Sequence, residues 1–181
     1  MTGLFFPVYK YRVDLRSFTR REIRIEMEDE MLKEMNWAIM DVEYIQTSKT
    51  HKCVRKLYIL AKDGFTDLEI EFYPCIKYAD LEEKYQRSFR FCKSRVHRLE
   101  YNPQHKYAPA CSTVLAKLNT FIVYNGIDFI LYKGGTIERE LCHELCIPSF
   151  NIEQFSEFEK IQSHDPEIEV NYYYNRLMNS I

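Results

Sequence analysis

Three apolar segments in the first half of the chain have the composition of β-strands, with polar residues placed among their hydrophobic positions. They are WAIMDVEYIQ from Trp37, HKCVRKLYILAKDG from His51 and DLEIEFYPCI from Asp67. The Asp63-Gly64 pair is typical of the tight turn between two hairpin strands. Because the connections between the segments are short, the pattern predicts an antiparallel meander of three strands.

Hydrophobic residues at helical spacing precede the first of these strands. They recur every four residues within a segment rich in helix formers, at Ile23, Met27, Met31 and Met35. This spacing predicts a helix. Together with the aromatic and basic residues before it, the helix forms a predicted N-terminal arm, residues 1–35, that packs on a body formed by residues 36–181.

The second half of the chain alternates between predicted helices and short strands. In chain order these are a helix or long loop over 78–103, a helix over 112–126, a strand over 128–135, a helix over 136–145, a strand or loop over 148–155 and a helix over 164–178. Helices and strands that alternate after an antiparallel meander predict an α/β fold with a mixed sheet.

The composition is that of an ordinary globular domain and narrows the function only slightly. The 181 residues are 46% hydrophobic and 29% charged, and the net charge is −2. With so little net charge, any contact with nucleic acid would have to come from a local patch. Six scattered cysteines, no signal-peptide pattern and no long apolar run lead us to expect an intracellular protein, cytoplasmic or nuclear and not secreted.

The first predicted strand carries two acids, Asp41 and Glu43, between apolar residues. Alternation along a strand puts both side chains on one face, about 7 Å apart. A buried carboxylate without a partner is costly, and hard divalent cations bind carboxylate oxygens. The pair therefore indicates a metal site.

Two more acids and a histidine lie at defined positions in the predicted elements of the second half of the chain. Glu138 lies at the start of a predicted helix, after a strand and the Gly134-Gly135 turn. His164 is followed five positions later by Glu169 in the last predicted helix. A histidine suits proton transfer because its unperturbed pKa lies near neutral pH.

These motifs, taken in order, resemble the RNase H-like fold of the DEDDh exonuclease family. The resemblance covers roughly residues 36–180 and implies three antiparallel strands followed by parallel strands, with helices flanking the sheet. It also implies two divalent cations, Mg²⁺ or Mn²⁺, and hydrolysis of single-stranded DNA or RNA from the 3′ end. The catalytic residues that it implies are Asp41, Glu43, Glu138 and Glu169 as metal ligands and His164 as the general base.

A basic segment, KYQRSFRFCKSRVHR, has no acid among its basic residues and interleaves them with aromatic residues such as Tyr85. This pattern favours a groove that tracks a nucleic-acid backbone and stacks on bases, although the solvated face of an amphipathic helix would look the same. The candidate nucleic-acid contacts are Lys84, Arg87, Arg90, Lys93, Arg95, Arg98 and, beside the two glycines, Lys133.

Two departures from the family pattern leave a second hypothesis open. The family has Asp where this chain has Glu138 and Glu169. A degenerate site of this kind would leave an RNase H-like module that binds nucleic acid or a protein partner without cleaving it. A purely structural role, in which the aromatic surface docks into a larger assembly, is a third hypothesis.

Overall fold

The structure is a computed structural model that describes residues 30–46, 48–49, 52–71, 81–91, 111–154, 161 and 163–180. Within these residues the fold is α/β, with a five-stranded mixed sheet flanked by helices. Most of the predicted N-terminal arm, residues 1–35, falls within residues 1–29, which lie outside the described residues.

The sheet has the strand order β3-β2-β1-β4-β5. Strands β1, β2 and β3 pair antiparallel, and β4 and β5 are added in parallel on the other side of β1. The strands are β1 Trp37–Gln46, β2 Lys52–Ala61, β3 Asp67–Glu71, β4 Phe129–Tyr132 and β5 Ser149–Asn151. The predicted meander and the mixed sheet are therefore confirmed.

Helices follow or connect the strands along the described chain. They are α1 over residues 30–34, α2 Glu83–Phe91, α3 Cys111–Tyr124, α4 Thr136–Glu144 and α5 Pro166–Met178, with a 3-10 helix at Ile152–Gln154. The sequence predicted either a helix or a long loop over residues 78–103, and α2 shows that at least part of this segment is helical. No helix in the described ranges has the length and apolar character needed to cross a membrane.

Strand β1 is the centre of the core because it is buried on both faces. Ala38, Met40 and Val42 pack in the cluster that contains residues of α3 and α4, whereas Trp37 and Ile39 pack in the cluster that contains residues of α5. All five side chains are at most 5% exposed. Alternation along the strand therefore places the odd-numbered acids that follow Ile39 on the α5 face of the sheet.

Helix α5 covers that face and is tied to the sheet by packing and by a hydrogen bond. Val170, Tyr173 and Leu177 are at most 3% exposed, and burying side chains of this size stabilises the fold by about 1.5–3 kcal/mol each. The Tyr174 hydroxyl donates to the carbonyl of Lys62, 2.9 Å away, beside the β2–β3 turn.

The contact between this turn and α5 predicts a specific cost for Gly64→Ala. Gly64 has φ 75°, and a Cβ there would lie 2.6 Å from the Tyr174 hydroxyl oxygen. Gly126 has φ 59° but open space around it, so Gly126→Ala isolates the backbone strain, about 1–2 kcal/mol. We expect Gly64→Ala to lower the free energy of unfolding by about 1 kcal/mol more than Gly126→Ala does, measured by urea denaturation. Equal losses in the two variants would contradict this packing.

Candidate functional site

A cleft of about 420 Å³ opens on the α5 face of the sheet. It lies where the second half of β1, the turn between β4 and α4, and the start of α5 come together. Its described lining residues are Glu43, Lys133, Gly134, Glu153, Ile161, Ser163, His164, Glu169 and Tyr173. Four of the residues singled out from the sequence, Glu43, His164, Glu169 and Lys133, therefore share one cavity.

Three side chains in the cleft gather closely enough to share one ion. Glu43, His164 and Glu169 each offer one ligand atom, and these atoms all lie within 4.8 Å of one another. Glu43 and Glu169 are partly buried, and His164 is exposed. The first strand and the start of the last helix, far apart in the sequence, thus bring together three of the five predicted catalytic residues. We call these three the EHE cluster.

The position of His164 differs from its predicted place on the last helix. Asp165 is the N-cap of α5, its side chain accepts a hydrogen bond from the backbone N–H of Glu167, and Pro166 occupies the first turn. The helix therefore begins after His164, because a proline suits the first turn and an Asp suits the cap. His164 reaches the cluster from the segment before the helix rather than along one helix edge.

Glu43 has a strongly perturbed electrostatic environment. Burial is the main cause that raises its pKa from 4.5 to about 8. Nearby negative charges raise that pKa further; they belong to Asp41, Glu169, Glu138 and Asp165. Since all four of these acids act on one carboxyl group, the α5 side of β1 concentrates negative charge around Glu43.

Asp41 lies beside the EHE cluster but is not part of it. Burial raises the pKa of Asp41 to about 6, a hydrogen bond from the backbone N–H of Val42 lowers it, and the charge of Asp165 raises it. The predicted pairing of Asp41 with Glu43 on one strand face is present, because Glu43 responds to the charge of Asp41.

Glu138 is the most buried of the predicted ligands, at 2% exposure. Its Oε1 accepts a hydrogen bond from the backbone N–H of Val42 at 3.2 Å. The pairing of β1 with β4 ends at Met40 and Tyr132. Beyond that point the backbone N–H of Val42 has no β4 partner, and the Glu138 carboxylate accepts its hydrogen bond instead. A Cβ on Gly135 would collide with that carboxylate, so a larger residue there would displace the Glu138 side chain. Glu138 therefore has a structural role, whatever else it does.

Lys133 follows β4 and reaches into the cleft. Its ammonium nitrogen lies 3.6 Å from Glu153 Oε1 and 4.7 Å from the ring centre of Tyr173. Glu153 and Tyr173 were not singled out from the sequence. Tyr173 lies four residues after Glu169 on the same helix, a spacing that places two side chains on one face and could have identified it.

Asp165 and Lys56 support the start of α5 from outside the cleft lining. Lys56 donates to Asp165 Oδ1 at 2.9 Å and pairs with Glu69 at the same distance. In the strand register Lys56 lies opposite Glu43, next to a shift in pairing between β1 and β2. A bulge of this kind twists a strand and is frequent beside functional sites. No local sequence signal marks Lys56, because its neighbours depend on the strand register.

The predicted basic face is described only at its start. Lys84 and Arg87 are exposed and pair with Glu82 and Glu83 respectively. Tyr85 is only 6% exposed, so its ring packs within the fold, and its stacking on bases stays a prediction. The side chain of Arg90, together with Lys93, Arg95 and Arg98, lies outside the described residues.

Comparisons with known proteins do not place the chain in a family. No protein-family model matches it, and no curated protein matches it. Any family relationship must therefore be argued from the fold and the cleft.

The electrostatics of the cleft predict how stability depends on pH when divalent cations are removed. The folded-state pKa of Glu43, about 8, lies above its usual value of 4.5. The folded state therefore binds this proton more tightly, and the associated stability, complete below about pH 4.5, is lost as pH rises through about 8. We expect the melting temperature in EDTA to fall between about pH 7 and pH 9, and to fall less in Glu43→Gln.

Glu34→Gln is the matched control, because Glu34 is an exposed acid at the end of α1. Its pH dependence should equal that of the wild-type protein. Asp41 titrates near pH 6, so it contributes little to the slope in this window. A slope in Glu43→Gln as steep as in the wild-type protein would contradict the assigned environment.

Proposed function

We propose that the protein is a metal-dependent nuclease of the DEDDh exonuclease type that acts on single-stranded DNA or RNA. The observation that carries this proposal is the EHE cluster, in which Glu43, His164 and Glu169 lie within 4.8 Å of one another in a cleft. These three residues are among those that the family resemblance implies, and their convergence requires the first strand to meet the start of the last helix.

The fold supports the proposal. The RNase H-like arrangement implied by the sequence has three antiparallel strands followed by parallel strands, and the described sheet has this arrangement around β1. The predicted first acid pair lies in β1, the third acid in α4 and the last in α5.

The donor set of the cleft fits a divalent cation. Carboxylate oxygens are the ligands that Mg²⁺ prefers, and Mn²⁺ also accepts imidazole nitrogen. The raised pKa of Glu43 reflects burial and several nearby negative charges, which a bound cation would offset. Glu43 and Glu169 would hold the ion, with Asp41 and Glu138 as the further ligands implied by the resemblance.

The groups around the cluster suit phosphodiester hydrolysis. A bound Mg²⁺ or Mn²⁺ would supply an activated water and stabilise charge on the scissile phosphate. His164 is exposed next to two carboxylates, so its imidazole is placed to accept a proton from water that enters the cleft. The aromatic ring of Tyr173 forms part of the wall beside Glu169.

The primary test compares Glu169→Gln with Glu167→Gln. Both changes remove one charge from the first turn of α5, but only Glu169 belongs to the EHE cluster. We expect Mn²⁺ to raise the melting temperature of the wild-type protein and of Glu167→Gln. In Glu169→Gln, Mn²⁺ affinity and the cleavage rate of a labelled single-stranded oligonucleotide should both fall at least about tenfold.

The nuclease proposal requires both results, Mn²⁺ binding and cleavage of the oligonucleotide. Absence of a Mn²⁺ effect on the wild-type protein, or equal cleavage by the two variants, would overturn the proposed active site.

A degenerate, non-cleaving module is the second candidate, and the structure of Glu138 favours it. The Glu138 carboxylate is buried and hydrogen-bonded to the backbone of β1, which competes with a role as metal ligand. Such a module would bind nucleic acid or a protein partner and would not depend on a cation.

The degenerate module predicts a gel shift with single-stranded oligonucleotide in EDTA that weakens as salt is raised. Changing Arg87, Arg90 and Arg95 to Glu should abolish the shift, whereas Arg139→Glu on the exposed side of α4 should preserve it. Cation-dependent cleavage by the wild-type protein would reject this candidate, and the absence of any shift would reject its nucleic-acid-binding form.

A further inference from the structure

We infer that Lys133 forms a phosphate-binding subsite of the cleft, in which Glu153 occupies the position of the substrate phosphate until substrate binds. The inference rests on the proposed function, since it places a phosphate of the substrate beside the EHE cluster. It adds a residue, Glu153, that competes with substrate and therefore sets affinity.

The surroundings of Lys133 favour an anion at its ammonium group. Among the described residues that line the cleft, Lys133 is the only lysine or arginine. Its side chain is 15% exposed, and its ammonium group lies 4.7 Å from the centre of the Tyr173 ring. Contact with an aromatic face restricts where the ammonium group lies, and a lysine is a common phosphate ligand in proteins.

Glu153 has the properties of an exchangeable counter-ion. Its side chain is 50% exposed, and its carboxylate lies 3.6 Å from the Lys133 ammonium group, longer than a good charge-assisted hydrogen bond. Solvated ion pairs of this type contribute at most about 1 kcal/mol, so a phosphate can displace the carboxylate at little cost.

Asn151 holds Glu153 at the rim of the cleft through hydrogen bonds that do not include Lys133. The backbone N–H of Glu153 donates to Asn151 Oδ1 at 3.1 Å, and Asn151 Nδ2 donates to Glu153 Oε2 at 3.2 Å. Because these contacts do not involve Lys133, the Glu153 side chain keeps a hydrogen-bond partner when a phosphate takes its place.

The test measures binding of inorganic phosphate by NMR titration in EDTA, with Glu153→Gln as the decisive variant. Removing the competing charge should tighten phosphate binding about two- to fivefold. Lys133→Met should abolish it, and Lys133→Arg should retain it, which distinguishes a lost charge from a disturbed fold. Glu69→Gln is the matched control, because it removes an exposed acid partner of Lys56, a lysine buried as deeply as Lys133 but outside the cleft lining.

A second titration uses a single-stranded oligonucleotide that carries only phosphodiesters. Tighter binding of both ligands by Glu153→Gln would assign the subsite to a phosphate within the strand, and tighter binding of inorganic phosphate alone would assign it to a terminal phosphate. Equal phosphate affinity in Glu153→Gln and wild-type protein, or binding that survives in Lys133→Met, would overturn the inference. Since EDTA removes the cations and no cleavage is measured, failure here is separate from failure of the proposed nuclease.

Discussion

The cleft rests on one constraint: two acids lie on the α5 face of β1 where the buried core ends, and burial raises the cost of ionising them. Asp41 and Glu43 continue the strand face that carries Trp37 and Ile39. Their carboxyl groups are therefore removed from water at the point where the core ends. The charges of Glu138, Glu169 and Asp165 add to the cost of ionising Glu43. Acids with perturbed pKa values are frequent at functional sites, and we propose that the EHE cluster holds a cation.

The rest of the fold positions α5 against this face. Its apolar side packs on β1 and β2, Tyr174 ties it to the turn after β2, and Asp165 both caps its first turn and pairs with Lys56 on β2. These contacts determine where the helix begins, and that start places Glu169 within the first turn and His164 just before the cap. The opposite wall of the cleft comes from the turn after β4, which carries Lys133.

Sequence patterns predicted the mixed sheet because each strand had a local signature: an apolar run, a hairpin turn or a strand-to-helix turn with two glycines. They also predicted the shared face of Asp41 and Glu43, which follows from strand alternation alone. They placed His164 within the last helix, whereas Asp165 as the cap and Pro166 in the first turn make the helix begin after it. They could not predict that Glu138 bonds to the Val42 backbone, or that Lys56 lies opposite Glu43, because both depend on strand register and on where β4 ends. Tyr85 shows the same limit, since an alternating basic and aromatic pattern does not say which side of a helix is buried.

Anomalous scattering from a crystal grown with Mn²⁺ is the sharpest test of a cation at the EHE cluster, because it locates the ion without relying on activity. We expect a peak bounded by the carboxylates of Glu43 and Glu169, with the imidazole of His164 beside it. Strong Mn²⁺ peaks elsewhere in the crystal, with none between β1 and the start of α5, would contradict a cation site at the EHE cluster.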